Sequence, residues 1–153
     1  MSTADAGIFA RESDLLERYV QFGAAGEKII QLSFPNRPED DAGTEHDLLD
    51  RIERYLNSDA EDFGDVEVGL TVPTDQRSVL EAVREIPYGE QGSVAQVARM
   101  AGLDPDDEES QRTVREALAE NPVPLVIPDH RVRDGPSGAP PDVEQKLRSI
   151  EGL

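Results

Sequence analysis

The 153-residue sequence has no cysteine and no tryptophan, only two histidines, His46 and His130, and only two lysines, Lys28 and Lys146. The missing thiol excludes disulfides, thiolate metal sites and any reaction at a cysteine nucleophile. Two isolated histidines do not make a metal cluster, so neither a metal nor a cofactor is expected. No apolar run approaches the roughly 20 residues of a membrane-spanning helix. The first residues show no basic stretch followed by an apolar one, so a cytoplasmic protein is expected.

What the chain has in excess is negative charge. Its 33 acidic residues against 15 basic ones give a formal net charge of -18, with 37% hydrophobic and 5% aromatic residues. Aspartate and glutamate in such excess over lysine fit a protein from a salt-accumulating halophile. Molar salt screens the mutual repulsion of the carboxylates, whereas in dilute buffer that repulsion opposes the compact state. An acidic, aromatic-poor chain can instead be disordered, but periodic apolar positions and regular turn signals run through most of this one. A folded protein that requires salt is expected, long enough for one or two small domains with a real core.

The pattern of elements is α+β in two parts, residues 1–72 and 73–153. Residues 1–7 read as a flexible tail. Tyr19 to Phe34 reads as a hairpin with its turn at Gly23-Ala24-Ala25-Gly26. Pro35 to Gly43 is a polar loop. From a cap at Thr44, the positions Leu48, Leu49, Ile52, Tyr55 and Leu56 recur at helical spacing. A stop and linker at 57–64 and an extended stretch at 66–72 complete the first part, a small sheet-and-helix unit. Thr74 is read as the cap of a helix from about Asp75 to Glu85. Helices over 93–102 and 109–121 follow, with Asp104, Asp106, Asp107, Glu108 and Glu109 placed where carboxylates complement a helix dipole.

Three segments carry chemistry. They are Gln76 to Glu90, ending in Ile86-Pro87-Tyr88-Gly89-Glu90; the helix pair 93–121; and Asn121-Pro122-Val123-Pro124-Leu125-Val126-Ile127-Pro128-Asp129-His130-Arg131-Val132. Together they resemble the O6-alkylguanine-DNA alkyltransferase family, whose motif reads Pro-Cys-His-Arg where this chain has Pro128-Asp129-His130-Arg131. The resemblance implies a winged-helix-like C-terminal domain with a helix-turn-helix that enters the minor groove and flips a nucleotide into a pocket. It places the arginine that enters the duplex at Arg112, and the glutamate that orients the active-site histidine, His130, at Glu151. Ser93, Val94, Thr113 and Arg115 then face DNA, while Asn121, Pro122, Pro128, Asp129, His130 and Arg131 line the lesion pocket.

The departures from the family pattern are as informative as the matches. A carboxylate replaces the nucleophile at Asp129, and a carboxylate is a far weaker nucleophile than a thiolate toward carbon. Val94 stands for a tyrosine that helps turn the target phosphate. The loop from Arg133 to Pro141 has turn-forming glycine and proline but no aromatic to stack on a base. The closest type is the alkyltransferase-like proteins, which lack the cysteine, bind alkylated bases without repairing them and pass the lesion to nucleotide excision repair. A monomer with no catalytic residue is expected, its damaged-DNA partner joined by excision-repair proteins. Two other readings stay open: an interaction module that has lost DNA binding, and an acid–base enzyme using Asp129, His130 and Glu151. Asp129 also reads as a cap or as an ion-pair partner of Arg131 or Arg112. Arg112 and Arg115 read equally as partners of Asp107, Glu108 or Glu116 at helical spacing.

Overall fold

The computed structural model describes residues 7–153; residues 1–6, most of the expected tail, lie outside the described residues, and Gly7 already belongs to a strand. Three antiparallel strands open the fold in the order β1 (Gly7–Ser13), β2 (Arg18–Ala25) and β3 (Lys28–Ser33). The expected hairpin is β2–β3, but its turn is later than the Gly-Ala-Ala-Gly reading. Gly23, Ala24 and Ala25 all pair within β2, and the chain reverses at Gly26, whose φ of 64° suits glycine. Strand β1 was not expected. Its Phe9 pairs with Phe22 of β2, which faces Leu32 of β3, and these alternate residues give the sheet its core face. A register shift at Gly23/Ala24 leaves Ile30 as an extra residue.

Helix α1 (Asp47–Leu56) covers that face with Leu48, Leu49, Ile52 and Tyr55, all buried. Its cap is His46 and not Thr44: the imidazole Nδ1 accepts from Leu48 N at 3.0 Å, with the ring edge-on to Phe9 and Phe22. Burial holds the His46 pKa below its ordinary 6.5, outweighing the opposing pull of Asp47 and Asp50. Protonation would turn the accepting nitrogen into a donor and set a cation at a helix N-terminus. A folded-state pKa below the unfolded one means that stability falls as pH drops through 6.5. His46→Ala is therefore expected to cost about 1 kcal/mol at pH 8 and to flatten the loss of stability below pH 6.5, both read by urea titration in constant salt.

After an extended linker, bridged to β3 at Ile29 and Val68, the second part is helical. It comprises α2 (Thr74–Val83), α3 (Val94–Met100), α4 (Glu108–Ala119), a 3-10 turn (Asp129–Arg131) and α5 (Pro141–Glu151). Helix α2 begins one residue earlier than read, behind Pro73, so Thr74 is inside the helix and no side chain caps it. Ser93 caps α3 in a reciprocal capping box with Gln96. At its end Gly102 (φ 82°) donates to Arg99 O and Leu103 N to Ala98 O, a paired closure that turns the chain toward α4. Asp107 caps α4, with Glu108 and Glu109 in its first turn, as the acidic run implied. Valine, leucine and isoleucine from both parts meet in one core, each fully buried side chain contributing about 1.5–3 kcal/mol.

Candidate functional site

Proline at 122, 124 and 128 removes backbone donors from the segment after α4, so side chains hold it together. Asn121 is the hub: its Oδ1 accepts from Val123 N at 2.9 Å, and its Nδ2 donates to Ile127 O at 3.1 Å and to Asp129 Oδ2 at 2.9 Å. Pro122 O accepts from Leu32 N at 2.8 Å and so ties the segment to β3. Leu125, buried, adopts a φ of 79°, a strained value for a bulky side chain.

This folding delivers Asp129 and His130 to the interior, both at 0% exposure. Asp129 receives Ser137 Oγ at 2.5 Å and Gly138 N at 2.8 Å in addition to Asn121. Its partners are thus three neutral donors, two of them from the loop 133–140. The expected ion pairs of Asp129 with Arg131 and Arg112 are absent: Arg131 is committed elsewhere and Arg112 lies on the exposed face of α4. Burial raises the Asp129 pKa above 3.8 against the opposing effect of those hydrogen bonds.

His130 belongs to a second network centred on Glu151, the last residue of α5. Its Nε2 lies 2.6 Å from Glu151 Oε2, which also accepts from Tyr55 OH at 2.5 Å. Arg131 Nε donates to Glu151 Oε1 at 2.8 Å and its other nitrogens reach Glu151 Oε2 and Ile86 O. Gly89 N donates to Glu151 Oε1 at 3.0 Å from a turn in which Gly89 has a φ of 78°. Burial pushes the Glu151 carboxyl up, but the hydrogen bonds from His130 and Arg131 overcome it and hold the pKa at about 2. An ionised Glu151 accepts, so Nε2 carries a proton. Arg131 already balances the carboxylate charge. His130 Nδ1 is wholly buried and without a hydrogen-bond partner.

The expected set is therefore divided. Asn121, Asp129, His130 and Arg131 cluster with Glu151 in the interior, and Pro128 is buried with them. Val94 has its side chain in the core: it is 1% exposed, because α3 turns it inward beside Gly135. Ser93 is occupied as a cap, and Thr113 Oγ1 donates back to Glu109 O. Sequence reading missed Tyr55, Ser137 and Gly138 as members of the site.

The cations divide as well. Arg11, Arg18, Arg51, Arg54, Arg131 and Arg148 pair with carboxylates, and Arg77 and Arg84 donate to carbonyls. Among the described residues the arginines with no side-chain partner are Arg37, Arg99, Arg112, Arg115 and Arg133. The pairs with Asp107, Glu108 or Glu116 are not formed. Four of these five stand on α3, α4 and the segment behind the site, exposed to solvent.

A three-stranded sheet with a helix, joined through one core to a helix-turn-helix and a buried Asn/Asp/His/Glu cluster, defines an α+β protein of the DNA-alkyltransferase fold. Residues 74–149 match the family model described as the 6-O-methylguanine DNA methyltransferase, DNA binding domain. A methylated-DNA–protein-cysteine methyltransferase of Methanopyrus kandleri is 38% identical over 128 residues, covering 80% of this chain and 93% of that one. Its counterpart in Metallosphaera sedula is 30% identical over 130 residues, 82% of this chain and 80% of the relative. The O6-methylguanine methyltransferase of Mycobacterium tuberculosis superposes with a TM-score of 0.76 at 21% identity, over 96% of this chain and 93% of that one. The M. tuberculosis OGT solved in complex with DNA gives 0.76 at 23%, over 95% and 93%. The chain belongs to the O6-methylguanine DNA methyltransferase family.

Proposed function

We propose that this protein is a non-enzymatic, alkyltransferase-like member of the family, which binds alkylated or otherwise damaged bases in duplex DNA by inserting α4 in the minor groove and flipping the nucleotide. The observation that carries the reading is the set of unpaired arginines, Arg99, Arg112, Arg115 and Arg133, in a chain with enough carboxylates to pair every one of them. Guanidinium groups left uncompensated in the helix-turn-helix part are available for phosphate and for the space of an extruded nucleotide. The sequence has no thiol to accept an alkyl group. Asp129, at the position that the resemblance gives to the nucleophile, is held as an acceptor by three donors. A flipped base reaches it once the loop 133–140 moves aside.

Binding at high ionic strength is then governed by insertion and flipping, because counterion release contributes little there. Tighter binding to a duplex with one O6-methylguanine than to its undamaged match is expected by fluorescence anisotropy in molar KCl, with no CH2 mass gain on the protein. Arg112→Ala is expected to weaken lesion binding by at least about tenfold. Equal affinity of Arg112→Ala and wild type would overturn the reading. The outward carboxylates Glu116 and Glu120 on and just after α4 favour a second reading, an interaction module, which predicts no affinity for either duplex.

A further inference from the structure

We infer that the preferred lesion is a cationic alkylated base, of the kind carrying a methyl group on a Watson–Crick ring nitrogen, bound more tightly than a neutral O6-alkylguanine. This rests on the lesion-binding reading above. Asp129 sits at 0% exposure with no cation within salt-bridge distance. Two of its three donors, Ser137 Oγ and Gly138 N, come from the loop that must move to admit a base. Once they leave, Asn121 alone remains on the carboxylate, and the guest must supply hydrogen-bond donors or positive charge.

Two further groups act in the same direction. Glu144 stands on α5, which packs against the 3-10 turn of Asp129: burial raises its pKa and the charge of Asp129 raises it further, while its cation, Arg148, stands off at 3.9 Å. His130 Nδ1 is wholly buried and has no hydrogen-bond partner. Arg131 is spent on Glu151. A neutral O6-alkylguanine would bring an ether oxygen toward the Asp129 carboxylate, and two acceptors without a proton between them repel. N1-methyladenine and N3-methylcytosine carry a delocalised positive charge together with an exocyclic amino donor, and they meet each of these demands.

The test uses the full chain in molar KCl with duplexes matched for loss of pairing: cationic N1-methyladenine against neutral N1-methylguanine, and cationic N3-methylcytosine against neutral N3-methylthymine. All four block the Watson–Crick face, so the ease of flipping is held similar and charge is varied. The cationic member of each pair is expected to bind about tenfold tighter or more. Asp129→Asn keeps the side chain's shape, removes the charge and turns one acceptor into a donor, and should bring both ratios close to one. Glu144→Gln, on a partly exposed helix face, should lower them in part. Equal binding of cationic and neutral lesions, each above undamaged DNA, overturns the charge assignment and leaves lesion recognition standing. Binding no tighter than to undamaged DNA for any lesion, by protein whose circular dichroism is native, overturns both.

Discussion

Glu151→Ala is expected to remove about 3–5 kcal/mol of folding stability, a large part of what holds a domain of this size together. The carboxylate is the common acceptor for His130 Nε2, Tyr55 OH, Arg131 and Gly89 N. Its loss strands a buried guanidinium as well as three further donors, and the uncompensated guanidinium dominates the cost. Glu151→Gln keeps the shape but turns an amide nitrogen toward groups that are themselves donors, so it should fall between wild type and Ala. The pH dependence has a definite sign. The folded pKa is about 2 against an ordinary 4.5, so the contribution is complete above 4.5 and disappears as pH falls toward 2. Urea titrations of the three proteins in constant molar KCl should show wild type losing this term over that interval while both variants stay flatter. A difference under about 1 kcal/mol at neutral pH would mean that the network contributes no more than an exposed ion pair.

Asp129→Ala and Asp129→Asn should move stability in opposite directions. Alanine deprives Ser137 Oγ and Gly138 N of their acceptor and leaves Asn121 Nδ2 only Ile127 O, a cost of about 2–3 kcal/mol. Asparagine can accept from Asn121 and Gly138 through its oxygen and donate to Ser137 through its nitrogen, without burying a charge. It should match or exceed wild type at neutral pH. The raised pKa of Asp129 means that the ionised carboxylate disfavours the fold, so the advantage of Asn should shrink as pH falls and vanish below 3.8. Thermal melts at neutral and acid pH decide it: an Asn variant as unstable as Ala would show that the charge itself holds the loop 133–140.

The second half of the molecule was more legible in the sequence than the first, for physical reasons. Ser93 with Gln96, and Asp107 before an acidic turn, are local signals, since a cap and its partner lie within three residues. The link from His130 to Glu151 came from resemblance and is present as a 2.6 Å contact. Strand β1 escaped because Gly7 to Ser13 is short and open on one face, and it becomes a strand by pairing with β2. Thr44 looked like a better cap than His46, yet imidazole can accept a hydrogen bond when aromatic rings hold it in place. Val94 was assigned to DNA by position, and its side chain lies in the apolar core. Tyr55 could not be found by any local rule, because its hydroxyl partner is 96 residues away and the ring fits the apolar stripe of α1 equally well.

That hydroxyl has a consequence for how such a chain can be divided. Tyr55 comes from the sheet-and-helix part and bonds the carboxylate that orients His130. Leu32 N and Arg18 tie the same part to Pro122 and Asp142. The helical half is therefore no interchangeable cassette. Cut out, or grafted behind a foreign N-terminal partner, it would carry its arginines intact yet lose a support of its own histidine, and a chimera would inherit the surface of the site without its interior.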